Sequence, residues 1–487
     1  MRYRRPHCRN SLITTKVKPT GKGVDVILDH GVRASKKFSE VALDFSAKNL
    51  TGFGGLSFFG EFIKRLDLET LLDQVKVPHF GKFYSTGRLL LMMLFGFVLG
   101  SERMQDVAAL RLDRTLLRVL GWRRWPVQST ITRFLHRFEE TAVASLLDVM
   151  VLATERFRTG WRDFERLHLD LDSHVRTVHG KTLENAVVGY NPNKRGRPSY
   201  HPLMAFIGET RDILRGAFRP GNTTTSGVVQ FLKDCLQQLN PSATARRIKW
   251  IIVRADSGFC YTEFLQTLEA QGVGLKYVVA LKCYRRHQSR FGGLTYERLE
   301  DSDSIETATY QSTDWPDGKV RRIVVVREAV PEDKKQDVAG KQLKLFPELK
   351  GYAYRAFVTN SLAPSVEIWR DYNGRATCEN VIKEGIFFGL DINATRKFYP
   401  NAAHFILTLF AYNLMNWFKE VAIGETHVKF GQEIKRMPKW IRSRLLCVPA
   451  KLVTSARQLT LKFSREWPWR SLIEKAIARI AVWAPSS

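Results

Sequence analysis

Cysteine is scarce in this chain. Cys8, Cys235, Cys260, Cys283, Cys378 and Cys447 lie far apart, with no C-x-x-C among them. That scatter argues against a zinc ribbon and a disulfide framework, and leaves a reduced, cytoplasmic protein as the expectation. Long apolar runs are missing too. The longest, LLLMMLFGFVLG at 89–100, is too short to span a bilayer and reads as a buried helix, so no membrane partner is expected. The start, MRYRRPHCRNS, is basic with no apolar stretch behind it, so no signal peptide is expected. No internal repeat is present. Acidic residues fall well short of basic ones, 48 Asp and Glu against 76 Lys and Arg, giving a formal net charge of +28. Such a surplus calls for a polyanionic partner, usually nucleic acid. Apolar residues, by contrast, make up 44% of the chain, ample for large cores, and the length of 487 suggests about three domains.

Residues 1–50 are basic and weakly periodic apart from GVDVILDHG, and read as an arm. From GGLSFFGEFIKRLDLETLLDQV to ITRFLHRFEETAVASLLDVMVLATERF the periodicity is helical. Within it, LDRTLLRVLGWRRWPVQSTITRFLHRF reads in two ways. As a helix-turn-helix, one helix ends at Gly121, Ser129 caps the next, and Thr130, Thr132, Arg133 and Arg137 face a DNA groove. As a plain helical hairpin, its arginines are merely solvated. Trp122 and Trp125 suit core packing better than stacking on bases.

The pattern changes near residue 165. RLHLDLDSHV alternates, with Leu167, Leu169 and Leu171 on one face and His168, Asp170 and Asp172 on the other. HPLMAFIGET and DILRGAFRPG follow as strands, then the helix TSGVVQFLKDCLQQL, the strand IKWIIVRAD, the helix YTEFLQTLEAQG and the strand KYVVALK. Three strands able to pair as a meander, then alternating helix and strand, predict an α/β fold with helices on both sides of a mixed sheet. That order is the one used by ribonuclease-H-like folds. Residues 285–351 turn polar and β-like without helical crossovers, and read as an inserted β-rich subdomain. The α/β pattern resumes at YRAFVTNS, and AAHFILTLFAYNLMNWFKEVA reads as an apolar helix packed on the sheet. After 426 come a hairpin, AKLVTSARQLTLKFS, and a last helix near SLIEKAIARIAVW. The expected divisions are 1–160 (arm and helical DNA-binding region), 161–284 and 352–425 (the two parts of a catalytic domain), 285–351 (the insertion) and 426–487 (DNA binding or dimerisation).

DYNGRATCENVIKEG at 371–385 holds Tyr372, Arg375, Glu379 and Lys383. At about 100° per residue these fall at about 0°, −60°, −20° and +20°, on one face of a continuous helix. Arg375 and Glu379 also suit a plain i,i+4 surface pair. In a ribonuclease-H-like sheet the first and fourth strands are neighbours, which would set Asp172 beside Asp256 at the end of WIIVRAD. A following helix can carry Glu379 over them. Converging carboxylates repel unless divalent cations hold them together, and two such ions suit phosphodiester cleavage. Plainer readings are open: Asp170 shares the face of Asp172, and Asp256 can cap the turn of Asp-Ser-Gly. Lys194, Arg195 and Arg197, in NKRGRP, form a basic loop suited to a DNA groove or simply to water.

The segments LDLDSHV, GYNPNKRGRPSYHPL, VRADSGF and YNGRATCENVIKE, in this order, resemble the DDE transposases of bacterial insertion sequences. The resemblance is to the group with a Tyr-x2-Arg-x3-Glu-x6-Lys signature and a β-insertion before the glutamate, and it runs from about residue 50 to 465. It implies Asp172, Asp256 and Glu379 as catalytic and metal-binding residues, with two Mg²⁺ ions, or Mn²⁺ in their place. It implies DNA contacts by Tyr372 and Arg375, and double-stranded DNA as partner, both as terminal inverted repeats and as target. A homodimer in the DNA complex and a bacterial, nucleoid-associated location follow. Ile386 stands where the signature has lysine, and Lys383 is the expected substitute. The alternatives are a captured, inactive DNA-binding protein and a structure-specific endonuclease.

Overall fold

The computed structural model describes residues 16–20, 23–27 and 45–485, apart from 79–80, 82, 159–163, 181, 193, 240–247, 273, 284, 300–301, 331–350 and 425–436. Most of the basic arm lies outside the described residues. Within it, the strands Lys16–Thr20 and Gly23–Ile27 pair antiparallel.

The helical region consists of α1 (Leu56–Arg65), α2 (Leu68–Asp73), α3 (Thr86–Leu99), α4 (Met104–Ala109), α5 (Arg114–Val119), α6 (Gln128–Leu135) and α7 (Glu140–Arg158). Helix α1 buries Leu56, Phe59, Phe62 and Ile63, the stripe that a 3.6-residue period aligns. Helix α3, apolar on all sides, is buried from Leu89 to Val98, as a helix without a polar face must be. Helix α5 ends just before Gly121, whose φ of +69° breaks the chain direction. Ser129 does not cap the next helix. The extended residue Val127 is its N-cap, and the carbonyl of Val127 takes the amides of Thr130 and Ile131, so Ser129 lies within the first turn. Trp125 is buried and its indole donates to the Val107 carbonyl at 2.8 Å, while Trp122 packs on Trp125 and Phe95. Both tryptophans serve the core.

The sheet is built from β1 (Arg166–Ser173), β2 (Leu203–Ile207), β3 (Ile213–Ala217), helix α8 (Val228–Leu239), β4 (Trp250–Ala255), helix α9 (Thr262–Glu269) and β5 (Leu275–Ala280). Then follow β6 (Glu297–Leu299), β7 (Ser302–Ser312), β8 (Arg321–Ala329) and β9 (Tyr352–Thr359). The order across the sheet is β6-β7-β8-β9-β5-β4-β1-β2-β3. Strands β1, β2 and β3 form the expected meander, and β4 lies parallel to both β1 and β5. Among the described residues of 285–351, the strands belong to the central sheet rather than to a sheet of their own. Strands β7 and β8 extend the central sheet, because β8 pairs with β9 over eight residue pairs from Arg322–Thr359 to Ala329–Tyr352. An edge strand with free hydrogen-bonding groups is a template for such addition.

Alternation along β1 sorts its two faces. Leu167, Leu169 and Leu171 join α8 and α9 in one core, with Phe231, Leu232, Phe264 and Leu265. The opposite face is covered by three helices, α10 (Ser365–Asn373), α11 (Ala376–Gly385) and α12 (Phe398–Ile423). Ile368 of α10 packs on Ile252, Val278, Val324 and Phe357. Helix α12 lies so close to β3 that a Cβ at Gly216 would stand 2.3 Å from Leu409, which only glycine permits. Asn413 seals this contact, donating to the Ile213 carbonyl at 2.8 Å and accepting its amide at 2.9 Å. The same helix packs against α3, so one core joins the helical region to the sheet.

The hairpin Ala450–Ser455 and Gln458–Phe463 turns through Ala456 and Arg457, both with positive φ. Leu50–Thr51 pairs with its first strand. Helix α13 (Arg470–Val482) adds Ile473, Ala476 and Ile480 to the core that holds α1 and α12. Cys235, Cys260, Cys283, Cys378 and Cys447 are free thiols. Among the described residues, no helix is long and apolar enough to cross a membrane.

Candidate active site

The carboxylates of β1 have different fates. Asp170 is wholly buried and held by Arg254, with Nε 2.5 Å from Oδ1 and Nη2 2.7 Å from Oδ2. Arg254 is the residue directly paired with Asp170 across the parallel β1–β4 ladder. Its remaining Nη1 donates to the Asp371 carbonyl. A charge sealed in this way is committed to the fold.

Asp172, two residues on, reaches the end of the same face. Ala255 pairs with Leu171, so the next residues, Asp256 and Asp172, stand beside each other on neighbouring strands. Asp256 then begins a tight turn, its Oδ1 accepting the Gly258 amide at 2.8 Å. The capping role and the place beside Asp172 coexist. Burial pushes the Asp172 carboxyl above its ordinary range; Arg375 opposes this and the charge of Asp256 adds to it. Asp172 Oδ1 accepts its own neighbour's amide, from Ser173, at 2.8 Å and lies 3.0 Å from Arg375 Nη2. Its Oδ2 faces the Cys378 thiol at 3.6 Å.

Tyr372, Arg375, Glu379 and Lys383 do not share a face. The chain from 365 to 385 is two helices joined at Gly374 and Arg375, where amides reach back three residues: Arg375 to Tyr372, Thr377 to Gly374 and Cys378 to Arg375. Such turns advance about 120° per residue rather than about 100°. The extra winding sets Cys378, not Glu379, in line with Arg375. Tyr372 accordingly lies half-buried, with its ring 4.5 Å from that of Phe357, and Arg375 is 7% exposed, whereas Glu379 and Lys383 are exposed. Ile386, in the place of the signature's lysine, is 41% exposed, so no core requires an apolar residue there.

Several polar groups near the carboxylates went unread in the sequence. His201 Nε2 lies 3.0 Å from Ser173 Oγ, and His174 Nε2 lies 2.6 Å from Asp391 Oδ1. Nothing in the local sequence marks either pair, since both join residues distant along the chain. Lys194, Arg195 and Arg197 are exposed on a loop between the short strands Val187–Val188 and Pro198–Tyr200, which pair with each other, and Pro198–Tyr200 also pairs with Arg176–Thr177 just beyond β1. Arg133 is exposed on α6; Arg137 is half-buried, with Nη1 3.4 Å from the Pro78 carbonyl.

Two oxygen donors thus meet at the sheet end, with a guanidinium on one of them. Among the described residues, no three His, Cys, Asp or Glu side chains cluster closely enough to hold a metal ion. The pair Asp172 and Asp256 suits a divalent cation, but the full three-carboxylate set is not assembled in this arrangement.

A family model for the transposase DDE domain, group 1, matches residues 33–484. The chain belongs to that family. Its members generally use divalent metal ions. No curated protein matches the sequence. Among solved structures, a piggyBac transposase synaptic complex with hairpin DNA is similar at 14% identity and a TM-score of 0.40, over 81% of this chain and 79% of that one. That likeness is too distant to carry an argument about this member of the DDE family.

Proposed function

We propose that the chain is the transposase of a bacterial insertion sequence, binding the element's terminal inverted repeats and catalysing metal-dependent cleavage and strand transfer. The observation that carries this reading is the parallel pairing of β1 with β4, which sets Asp172 beside Asp256 at one sheet end in a chain of the DDE family. Glu379, on the helix that crosses this end, is the third carboxylate of the reading. Mg²⁺ is the proposed ion, with Mn²⁺ able to replace it, and the two element ends require a homodimer in the DNA complex. The exposed Lys194, Arg195 and Arg197 beyond β1 and Arg133 on α6 supply positive charge for the phosphate backbone. Lys383, exposed one turn beyond Glu379, is the proposed stand-in for the signature's lysine.

Labelled element-end DNA with Mg²⁺ or Mn²⁺ tests the reading. The parent should nick it, and Asp256→Asn should bind equally well while losing at least about a hundredfold in rate. Undiminished cleavage by Asp256→Asn would sink the reading. One observation favours a second reading, a captured DNA-binding protein without catalysis: the guanidinium already seated on Asp172. Binding by parent and variant alike, with no nicking by either, would decide for it.

A further inference from the structure

The two buried arginine–aspartate pairs on the carboxylate face of the sheet are built differently. Arg254 uses all its nitrogens: two on Asp170 and one on the Asp371 carbonyl. Arg375 does not. Its Nη2 is shared between Asp172 Oδ1 at 3.0 Å and the Leu171 carbonyl at 3.2 Å, and its buried Nε has no hydrogen-bond partner. A buried donor left unmade costs stability that a permanent structural pair would have recovered. The backbone differs as well. Arg254 sits within a strand, but Arg375 sits at the junction of two helices, held by three-residue bonds that are less favourable than those of an α-helix.

We propose that Arg375 is a positioning residue for Asp172: a resident counter-charge that fixes the carboxylate and must withdraw before Asp172 can take a divalent cation. This rests on the reading of Asp172 and Asp256 as the carboxylate pair of the active site. A guanidinium 3.0 Å from Asp172 Oδ1 already neutralises the carboxylate and repels any further positive charge brought to it. The chain would therefore resist loading until some other negative group draws Arg375 away. A DNA phosphate, which a guanidinium grips with two hydrogen bonds, has the required chemistry.

The test is binding of Mn²⁺ alone to the full-length protein, followed by titration calorimetry and by the loss of free-ion electron spin resonance signal. Arg375→Gln should bind Mn²⁺ about tenfold more tightly than the parent, since a single charge at this distance is removed. In the Asp172→Asn background the same change should alter affinity less than twofold. Arg375→Met, which removes the charge and keeps an unbranched stem, gives a second route should the glutamine variant not fold; it too should tighten binding by about tenfold. Equal or weaker binding by Arg375→Gln, or by Arg375→Met in its stead, overturns the proposal while leaving the active-site reading intact. Binding by all forms that is indifferent to both Asp172→Asn and Asp256→Asn overturns the active-site reading and the proposal with it.

Discussion

Asp170 and Asp172 lie two residues apart on one face of one strand, and each is paired with an arginine. The interior pair is wholly buried, doubly hydrogen-bonded and drawn from adjacent strands; the terminal pair is a single ion contact at 3.0 Å, drawn from a helix junction, with the charge of a second aspartate nearby. The difference teaches how a fold separates structure from chemistry. The buried charge of Asp170 receives all its partners from rigid elements, whereas Asp172 stands at a sheet end beside an arginine from a helix junction. Sealing either pair costs desolvation, but only the interior one recovers it in full geometry.

The sharpest way to break this comparison is to remove the interior arginine. Arg254→Met would leave Asp170, wholly buried, without its counter-charge, and should cost about 3–5 kcal/mol of stability. Chemical denaturation measures it directly. A loss below about 1 kcal/mol would show that water or a rearranged partner reaches Asp170, and the contrast drawn above would collapse. Asp172→Asn is the matching change at the sheet end. Asparagine gives up the ion contact with Arg375, but the burial cost of a charged carboxylate disappears as well, so the expected loss is about 1 kcal/mol. Cleavage of element-end DNA should nevertheless fall at least about a hundredfold, as for Asp256→Asn. Equal destabilisation by the two substitutions would mean that both aspartates are structural.

Much of this was legible in the sequence. The alternation of RLHLDLDS marks the two faces of β1, and likeness to a ribonuclease-H-like strand order makes β4 its neighbour, hence Asp172 beside Asp256. The same pattern could not choose between Asp170 and Asp172, because alternation assigns a face and not a partner. What the sequence does hold is a partner for Asp170: an arginine within the apolar WIIVRAD, in register with it across the parallel pair. The face shared by Tyr372, Arg375, Glu379 and Lys383 was drawn on an ideal helix, and the tighter winding around Gly374 and Arg375 redirects it. The β-like stretch 285–351 was read as separate because it lacks crossovers; antiparallel additions to a sheet edge need none. Ser129 has the residue type of a cap, but the extended backbone at Val127 sets the helix start.

A third buried group extends the comparison to a charge the fold declines to form. His404, on α12, is buried with its ring edge-on to Phe97 at 5.2 Å, and neither ring nitrogen has a hydrogen-bond partner. Burial, with the nearby positive charge of Arg176 adding to it, pushes its pKa down to about 3 from an ordinary 6.5. The unfolded chain therefore takes up a proton near pH 6.5 that the folded chain refuses until near pH 3. Stability tied to this residue is fully present above pH 6.5 and falls as the pH drops through that window, by about 1.4 kcal/mol per pH unit. His404→Leu, of similar size and without a proton to bind, should remove this dependence. Denaturation of parent and variant at pH 7.5, 6.0 and 5.0 reads it as a difference that grows in favour of the variant as the pH falls. A difference independent of pH would mean that His404 accepts its proton in place, and that this core, like the sheet end at Asp172, has room for a charge.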